Sequence, residues 1–279
     1  MNDKINIIPI VNLQGIVMFP NSLIHFDIHD EKSQKAIKSA MNKDQLVFLT
    51  MSDKLDEEES GVSGNDGDIG IISKVKYYIN LPSDSIRVLV EGISRGKIVR
   101  LLDGEEIIIS EEEENDLSNS IEYAEIEYII DEGEQLLTFH EKEALLRSLK
   151  DIFEQYGREI GTLGKETIRQ ITDEVSSLTE LIDEITLIIP LSFEQKHEIL
   201  ITLDLMKRYE RLSKFILDEI EIIKIKKQYQ IKIKEKVDKN QKEYLLREQL
   251  KLIKEELGEE KTDYIDEYYK KLDEIIASD

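Results

Sequence analysis

The residues that could do chemistry are plentiful as carboxylates and scarce as anything else. The 279-residue chain carries 60 Asp and Glu against 37 Lys and Arg, with four histidines and no cysteine. Without a thiol there is no disulfide framework, no thiolate nucleophile and no thiolate metal ligand. His25, His29, His140 and His197 are scattered; His25 and His29 are four apart, but on an expected strand, which is not the helical ligand arrangement of HExxH. Asp66 and Asp68 with Asn65 lack the spaced ligands and terminal bidentate glutamate of a calcium loop. Gly61, Gly64 and Gly67 are not followed by the Lys-Ser or Lys-Thr of a phosphate-cradling loop. Carboxylate pairs, which general acid–base catalysis needs, are so frequent that none stands out. The chain therefore reads as one that binds and does not catalyse, with no metal or cofactor of its own.

Charge narrows what it binds. A net charge of -23 opposes nucleic acid as a partner, because phosphate binding needs local positive charge that overcomes the global field. The segment from Asp103 to Glu134 holds 14 carboxylates and no Lys or Arg, the pattern of a solvated loop between edge strands. No stretch approaches the roughly 20 apolar residues of a membrane span. The amino terminus, interrupted by Asn12, Gln14 and Pro20, lacks the basic flank and apolar run of a signal peptide, so a cytoplasmic setting is expected.

The elements that would carry a binding surface divide the chain. The first half has short, β-branched, turn-bounded runs: Ile7–Leu13, Leu23–Ile28, Gln45–Met51, Ile69–Leu81, Ile86–Glu91, Lys97–Leu102, Glu106–Ser110 and Tyr123–Asp131. One helix interrupts them at Glu31–Met41, with Asp30 as N-cap. A glycine-containing acidic loop is expected at Asp53–Asp68. The second half is helical. Thr138 and Glu141 form a capping-box pattern, Leu145, Leu149, Ile152 and Tyr156 repeat at helical spacing, and Gly157 is placed to end that helix. Helices are expected at Lys165–Asp173 and Ser177–Leu187, and Ser192 with Gln195 caps another after Pro190. The fold class is α+β: a curled sheet or open barrel with one helix, then a small helical bundle and a long helix.

That long helix spans Asp204–Leu257, free of proline and glycine, and would reach about 80 Å, so it must project. Around Asp238 to Lys242 nothing apolar is available to pack, and a bend, fraying or solvent exposure is expected there. Between Lys224 and Lys251, 10 Lys or Arg face 4 Asp or Glu, a basic stretch in an acidic protein. It fits either a solvated helix face or a strut that meets an acidic surface of a neighbouring copy or domain. The expected domains are a β-rich subdomain at 1–136, a helical subdomain at 137–203, the linker helix at 204–257, and a connection at 258–279.

Several motifs, in order along nearly the whole chain, resemble one family. PIVNLQGIVMFP from Pro9 to Pro20, Glu31-Lys32-Ser33, and LPSDSIRVLVEGISRGKI from Leu81 to Ile98 are similar to the amino-terminal region of the Lon family of ATP-dependent proteases. So are EALLRSLKDIFEQY from Glu143, IPLSFEQKHEIL from Ile189 and KNQKEYLLREQLKLIKEELGE from Lys239. The family's Leu-Pro-Leu-Arg-Asp opening is replaced by Val11 to Gly15, leaving its arginine without a counterpart, and its Asp-Gly turn by Asp84-Ser85. The resemblance implies a substrate-recognition and spacer region that binds unfolded or damaged proteins and helps assemble a hexamer. ATP, Mg and the Ser-Lys dyad of such an enzyme would belong to parts beyond Asp279, so this chain itself is not expected to be an enzyme.

Unfolded chains expose apolar side chains, so their receptor should offer an adaptable apolar surface. The candidates are Met18, Phe19, Leu23 and Ile24, flanked by Glu31, Lys32 and Lys35, with Tyr209 and Phe215 on the long helix. For Phe19 and Leu23 core packing is the favoured reading over surface contact, and for Lys32 and Lys35 a solvated helix face is. Three other functions stay open: a purely structural assembly or spacer module, a stand-alone adaptor with a Lon-like domain, and a small enzyme.

Overall fold

The computed structural model describes residues 5–52, 68–82, 84–102, 121–131, 133–161, 168, 171, 175–257 and 270. Apart from single positions, the expected loop at Asp53–Asp68, the strand at Glu106–Ser110, the helix at Lys165–Asp173, the connection at 258–279, and much of the acidic segment after Asp103 lie outside the described residues.

The chain forms two compact units, Met1–Ile220 and Glu221–Asp279. In the first unit six strands make one mixed sheet: β1 (Ile5–Gln14), β2 (Leu23–Ile28), β3 (Leu46–Ser52), β4 (Ile69–Asn80), β5 (Ile86–Leu102) and β6 (Tyr123–Tyr128). Their order is β2-β5-β4-β3-β1-β6, and β5 also pairs with β6, so the sheet curls on itself without becoming a regular barrel. β1 and β3 are parallel, as a strand–helix–strand crossover requires, and α1 (Glu31–Asn42) supplies the helix. Asp30 caps it, accepting from Ser33 N–H at 2.7 Å, while Ala36, Ile37 and Ala40 face the sheet. Ile8, Ile10, Phe48, Ile72, Ile98, Ala124 and Ile126 fill the curl.

Two expected strands, Ile86–Glu91 and Lys97–Leu102, are one. The Gly92 to Gly96 stretch reads as a turn in sequence, but β5 passes through it with a register shift opposite Ile72 and Ser73. The irregularity bends the strand so that its first half pairs with β2 and its second with β6.

The helical half of this unit follows a 3-10 turn at Gly133–Leu136 and comprises α2 (Phe139–Ile160), α3 (Leu178–Ile188), α4 (Phe193–Ile201) and the start of α5 (Leu205–Leu257). Thr138 and Glu141, and Ser192 and Gln195, form the two expected capping boxes, and Ser177 caps α3. Gly157 does not end α2. The helix runs on to Gly161, whose φ of 71° is the left-handed cap, and Gly157 is interior because a Cβ there would meet Ile168 Cδ1 at 2.1 Å. α2 buries Leu146, Leu149, Phe153 and Tyr156; α3 buries Leu178, Leu181, Ile182 and Ile185; α5 contributes Leu205, Leu212, Ile216 and Ile220.

In the second unit α5 continues without interruption through Asp238 to Lys242, so there is no break in the helix, and that patch is solvent-exposed. From Glu221 to Glu256 every residue except the half-buried Ile223 is exposed. Among the described residues no helix is long and apolar enough to cross a membrane.

Candidate functional site

The turn from Met18 to Ser22 and the strand after it carry four of the candidate residues, Met18, Phe19, Leu23 and Ile24. Asn21 adopts φ 59°, and Ser22 holds the turn: its hydroxyl donates to Phe19 C=O at 2.6 Å and accepts from Phe19 N–H at 3.3 Å. The turn is then pinned to β5. Asn21 N–H donates to Gly92 C=O at 3.0 Å, Gly92 N–H donates to Ser22 C=O at 2.9 Å, and a Cβ on Gly92 would stand 2.4 Å from Phe19 O. Only glycine at position 92 lets the turn lie this close.

Met18 and Phe19 are fully buried, which corrects their assignment as surface contacts. Met18 sulfur accepts from Ser73 hydroxyl at 3.7 Å, and the Phe19 ring lies under the Arg95 guanidinium, 5.9 Å from centroid to Cζ. They anchor the turn from beneath. Leu23 is the reverse case: it is 59% exposed and therefore not core, while Ile24 is half-buried. Glu31 and Lys32 are exposed; Lys35 pairs with Glu31 at 2.9 Å and Lys32 with Glu122 at 3.4 Å. Tyr209 and Phe215 are half-buried on α5, in the helical half, and are not part of the β2–α1 surface.

The strand register adds residues that no single segment reveals. Leu23, His25 and Asp27 share one face of β2, and lie opposite Glu91, Leu89 and Arg87 of β5. Leu89 and Arg87 are in turn opposite Tyr77 and Ile79 of β4. Leu23, Tyr77 and Ile79 are exposed and Leu89 half-buried, so an apolar strip crosses three strands. Ion pairs border it: Arg87 grips Asp27 through two hydrogen bonds of 2.7 and 2.8 Å, and Lys76 contacts Glu91. The hydrogen bond from Arg87 holds the Asp27 carboxyl below its ordinary pKa. An apolar strip with neutralised borders suits side chains of varied sequence. Among the described residues no group of three His, Cys, Asp or Glu is placed to hold a metal.

A buried charge cluster fixes this surface to the helical half. Arg95 of β5 donates to both carboxylate oxygens of Asp183 on α3, at 3.0 and 2.7 Å, and through Nε to Leu200 C=O at the end of α4, 3.1 Å. Arg208, in the first turn of α5 and wholly buried, donates to Asp131 after β6 and stands 4.0 Å from Asp183. Burial pushes the Asp183 carboxyl up in pKa, while Arg95 and then Arg208 pull it down. Arginine stays protonated in proteins, so two guanidiniums facing one carboxyl define an ionic clasp. Arg95 therefore lies against Phe19 on one side and joins two helices, α3 and α4, on the other. The sequence signal for the clasp was an aspartate within the apolar run LTELIDEITLI; nothing local pairs it with an arginine 88 positions away.

Comparison with known proteins agrees with this architecture. The family model described as ATP-dependent protease La (LON) substrate-binding domain matches residues 7–218. A Lon protease of Lachnoclostridium phytofermentans is 37% identical over 282 aligned residues, covering 100% of this chain and 32% of the relative. One from Clostridioides difficile is 37% identical over 97% of this chain and 33% of its own length, and Lon protease 1 of Bacillus subtilis 32% identical over 98% and 33%. The chain thus spans about a third of the length of the curated relatives it matches. In fold it is similar to the N terminal domain of Mycobacterium avium complex Lon protease, with a TM-score of 0.59 at 15% identity over 76% of this chain and 99% of that one. With the family model covering the sheet, the clasp and the start of α5, the chain belongs to the Lon substrate-binding domain family.

Proposed function

We propose that this chain is the substrate-recognition and spacer region of a Lon-type ATP-dependent protease, and that it captures unfolded or damaged polypeptides without hydrolysing ATP or peptide bonds itself. The observation that carries the reading is the apolar strip around Leu23 on a rigid, glycine-pinned turn, in a chain of this family. Leu23 makes the contact, with Ile24 behind it on the opposite face of β2; Glu31, Lys32 and Lys35 on α1, and Tyr209 and Phe215 on α5, would be separate, lesser contacts. ATP, Mg and the proteolytic chemistry belong to the rest of the parent enzyme, a cytoplasmic hexamer in this reading.

Fluorescence anisotropy of a labelled, permanently unfolded protein and its folded counterpart, at two salt concentrations, tests it. The unfolded form should bind preferentially and with little salt dependence, since the strip's charges are already paired. Equal binding of both forms, or binding abolished by salt, would defeat the proposal.

A second reading, assembly and spacing without substrate affinity, draws on the second unit. There Ile222, Ile225, Tyr229, Ile233 and Leu250 of α5 are all exposed. Light scattering with and without the residues after Leu203 distinguishes it: a concentration-dependent mass that disappears on truncation, with no binding of unfolded protein, would favour it.

A further inference from the structure

The edge of the sheet carries a more specific consequence, which rests on the recognition reading. Among the described residues β2 has one strand partner, β5, paired from Leu23–Glu91 to Ile28–Ile86. The direction of its main-chain groups follows from the turn. Gly92 exchanges hydrogen bonds with Asn21 and Ser22, so its N–H and C=O both face β2. Hydrogen-bonded and non-bonded pairs alternate along an antiparallel ladder. Val90 and Val88 therefore also face β2, and complete bonded pairs with Ile24 and Phe26. The residues between them, Leu23, His25 and Asp27, direct N–H and C=O outward, along an edge that no further strand occupies among the described residues.

This edge lacks the usual guards against pairing. It has no proline and no lysine, its pairing with β5 shows no bulge, and its one charge, Asp27, is engaged by Arg87 across the sheet face. Its side chains alternate between the exposed Leu23 and His25 and the inward Ile24, Phe26 and Ile28.

We infer that β2 is a strand-addition site, at which an extended segment of an unfolded polypeptide pairs with the outward main-chain groups of Leu23, His25 and Asp27. Alternate side chains of the added strand continue the apolar strip beyond Leu23. An extended chain is the occupant that matches this edge, because only it presents donors and acceptors at strand spacing. Main-chain pairing is indifferent to sequence, which a receptor for many unfolded proteins requires, and folded proteins bury such segments.

The test uses the whole chain and a fluorescein-labelled peptide of alternating threonine and valine. His25→Pro deletes one outward N–H, at an edge position where proline leaves the β5 ladder intact. His25→Ala, which keeps the N–H, sets the baseline. Relative to it, His25→Pro should weaken peptide binding about two- to tenfold, the loss of one main-chain hydrogen bond. Independently of any variant, peptide binding to the unmodified protein should slow amide exchange at Leu23, His25 and Asp27, with no such effect at the already paired Ile24 and Phe26.

Binding that leaves those three amides exchanging as before, or equal affinity of His25→Pro and His25→Ala, would overturn strand addition and leave recognition standing. No binding by the unmodified protein would overturn both. If protein alone protects the same amides in proportion to its concentration, the occupant is a second copy, and the inference fails.

Discussion

Replacing Asp183 by asparagine keeps the side chain's shape and removes its charge. Arg95 would then be a buried guanidinium facing a neutral amide, beside a second one on Arg208. The Arg95 and Asp183 side chains are 3% and 5% exposed, so water does not replace the lost partner. Breaking such a pair costs about 3–5 kcal/mol, well above the ~1 kcal/mol of an exposed pair. For a unit of this size, a melting temperature moves about 2–4 °C per kcal/mol, which gives a fall of roughly 6–20 °C by calorimetry or circular dichroism. Arg95→Met should cost a similar amount, since it also releases Leu200 C=O and uncovers the Phe19 ring. Removing both charges, with Arg95→Met and Asp183→Leu, should cost clearly less than the sum of Arg95→Met and Asp183→Leu made alone, because neither partner is left buried and unpaired. Single losses below about 1 kcal/mol, or a double variant that equals the sum, would refute the clasp as the link between sheet and helices.

Gly92→Ala should cost about 1–3 kcal/mol and weaken binding of unfolded protein, because its Cβ would stand 2.4 Å from Phe19 O and lift the turn; unchanged melting and binding would remove the glycine from the account. Tyr156→Phe should leave stability unchanged or raise it, since the Tyr156 hydroxyl is buried and has no hydrogen-bond partner among the described residues. Burial, with Glu219 adding to it, pushes that phenol up to about 12, so the protein should also show one tyrosine ionising late in an alkaline absorbance titration that Tyr156→Phe removes. Glu134 gives a pH dependence of definite sign. Burial pulls its carboxyl up, but hydrogen bonds from Lys142, Ser177 and Thr179 N–H outweigh this and hold it below its ordinary pKa. A depressed carboxyl stabilises fully above its unfolded value and loses that contribution as pH falls through the folded value. Urea unfolding should therefore weaken across the acidic range, and Glu134→Gln should flatten that decline; a variant with the wild-type slope would contradict it.

Much of the fold was legible because it is written locally. Asp30, Thr138, Ser177 and Ser192 act within three residues of themselves, and β-branched alternation marks β2 and β4 wherever they pair. The errors came from distant contacts. Gly92 and Gly96 look like turn formers until the Phe19 carbonyl and the Ile126 side chain are seen pressing on them, and Gly157 looks like a helix stop until Ile168 is placed against it. Met18 and Phe19 resemble an exposed apolar run, yet the pinned turn folds them inward and Leu23 outward. The strip was only partly readable: Leu23 could be picked from sequence, whereas Tyr77, Ile79 and Leu89 join it through register alone. The clasp was invisible for the same reason, its members coming from β5, α3, α5 and the segment after β6.

Recognition at the β2 surface is tested most directly by Leu23→Glu, measured for both affinity toward an unfolded polypeptide and melting temperature. Leu23 is exposed, so a charge there should weaken binding by tenfold or more while the melting temperature stays within the change of an ordinary surface substitution, about 0.5 kcal/mol. Unchanged affinity, or affinity and stability lost together, would contradict the account.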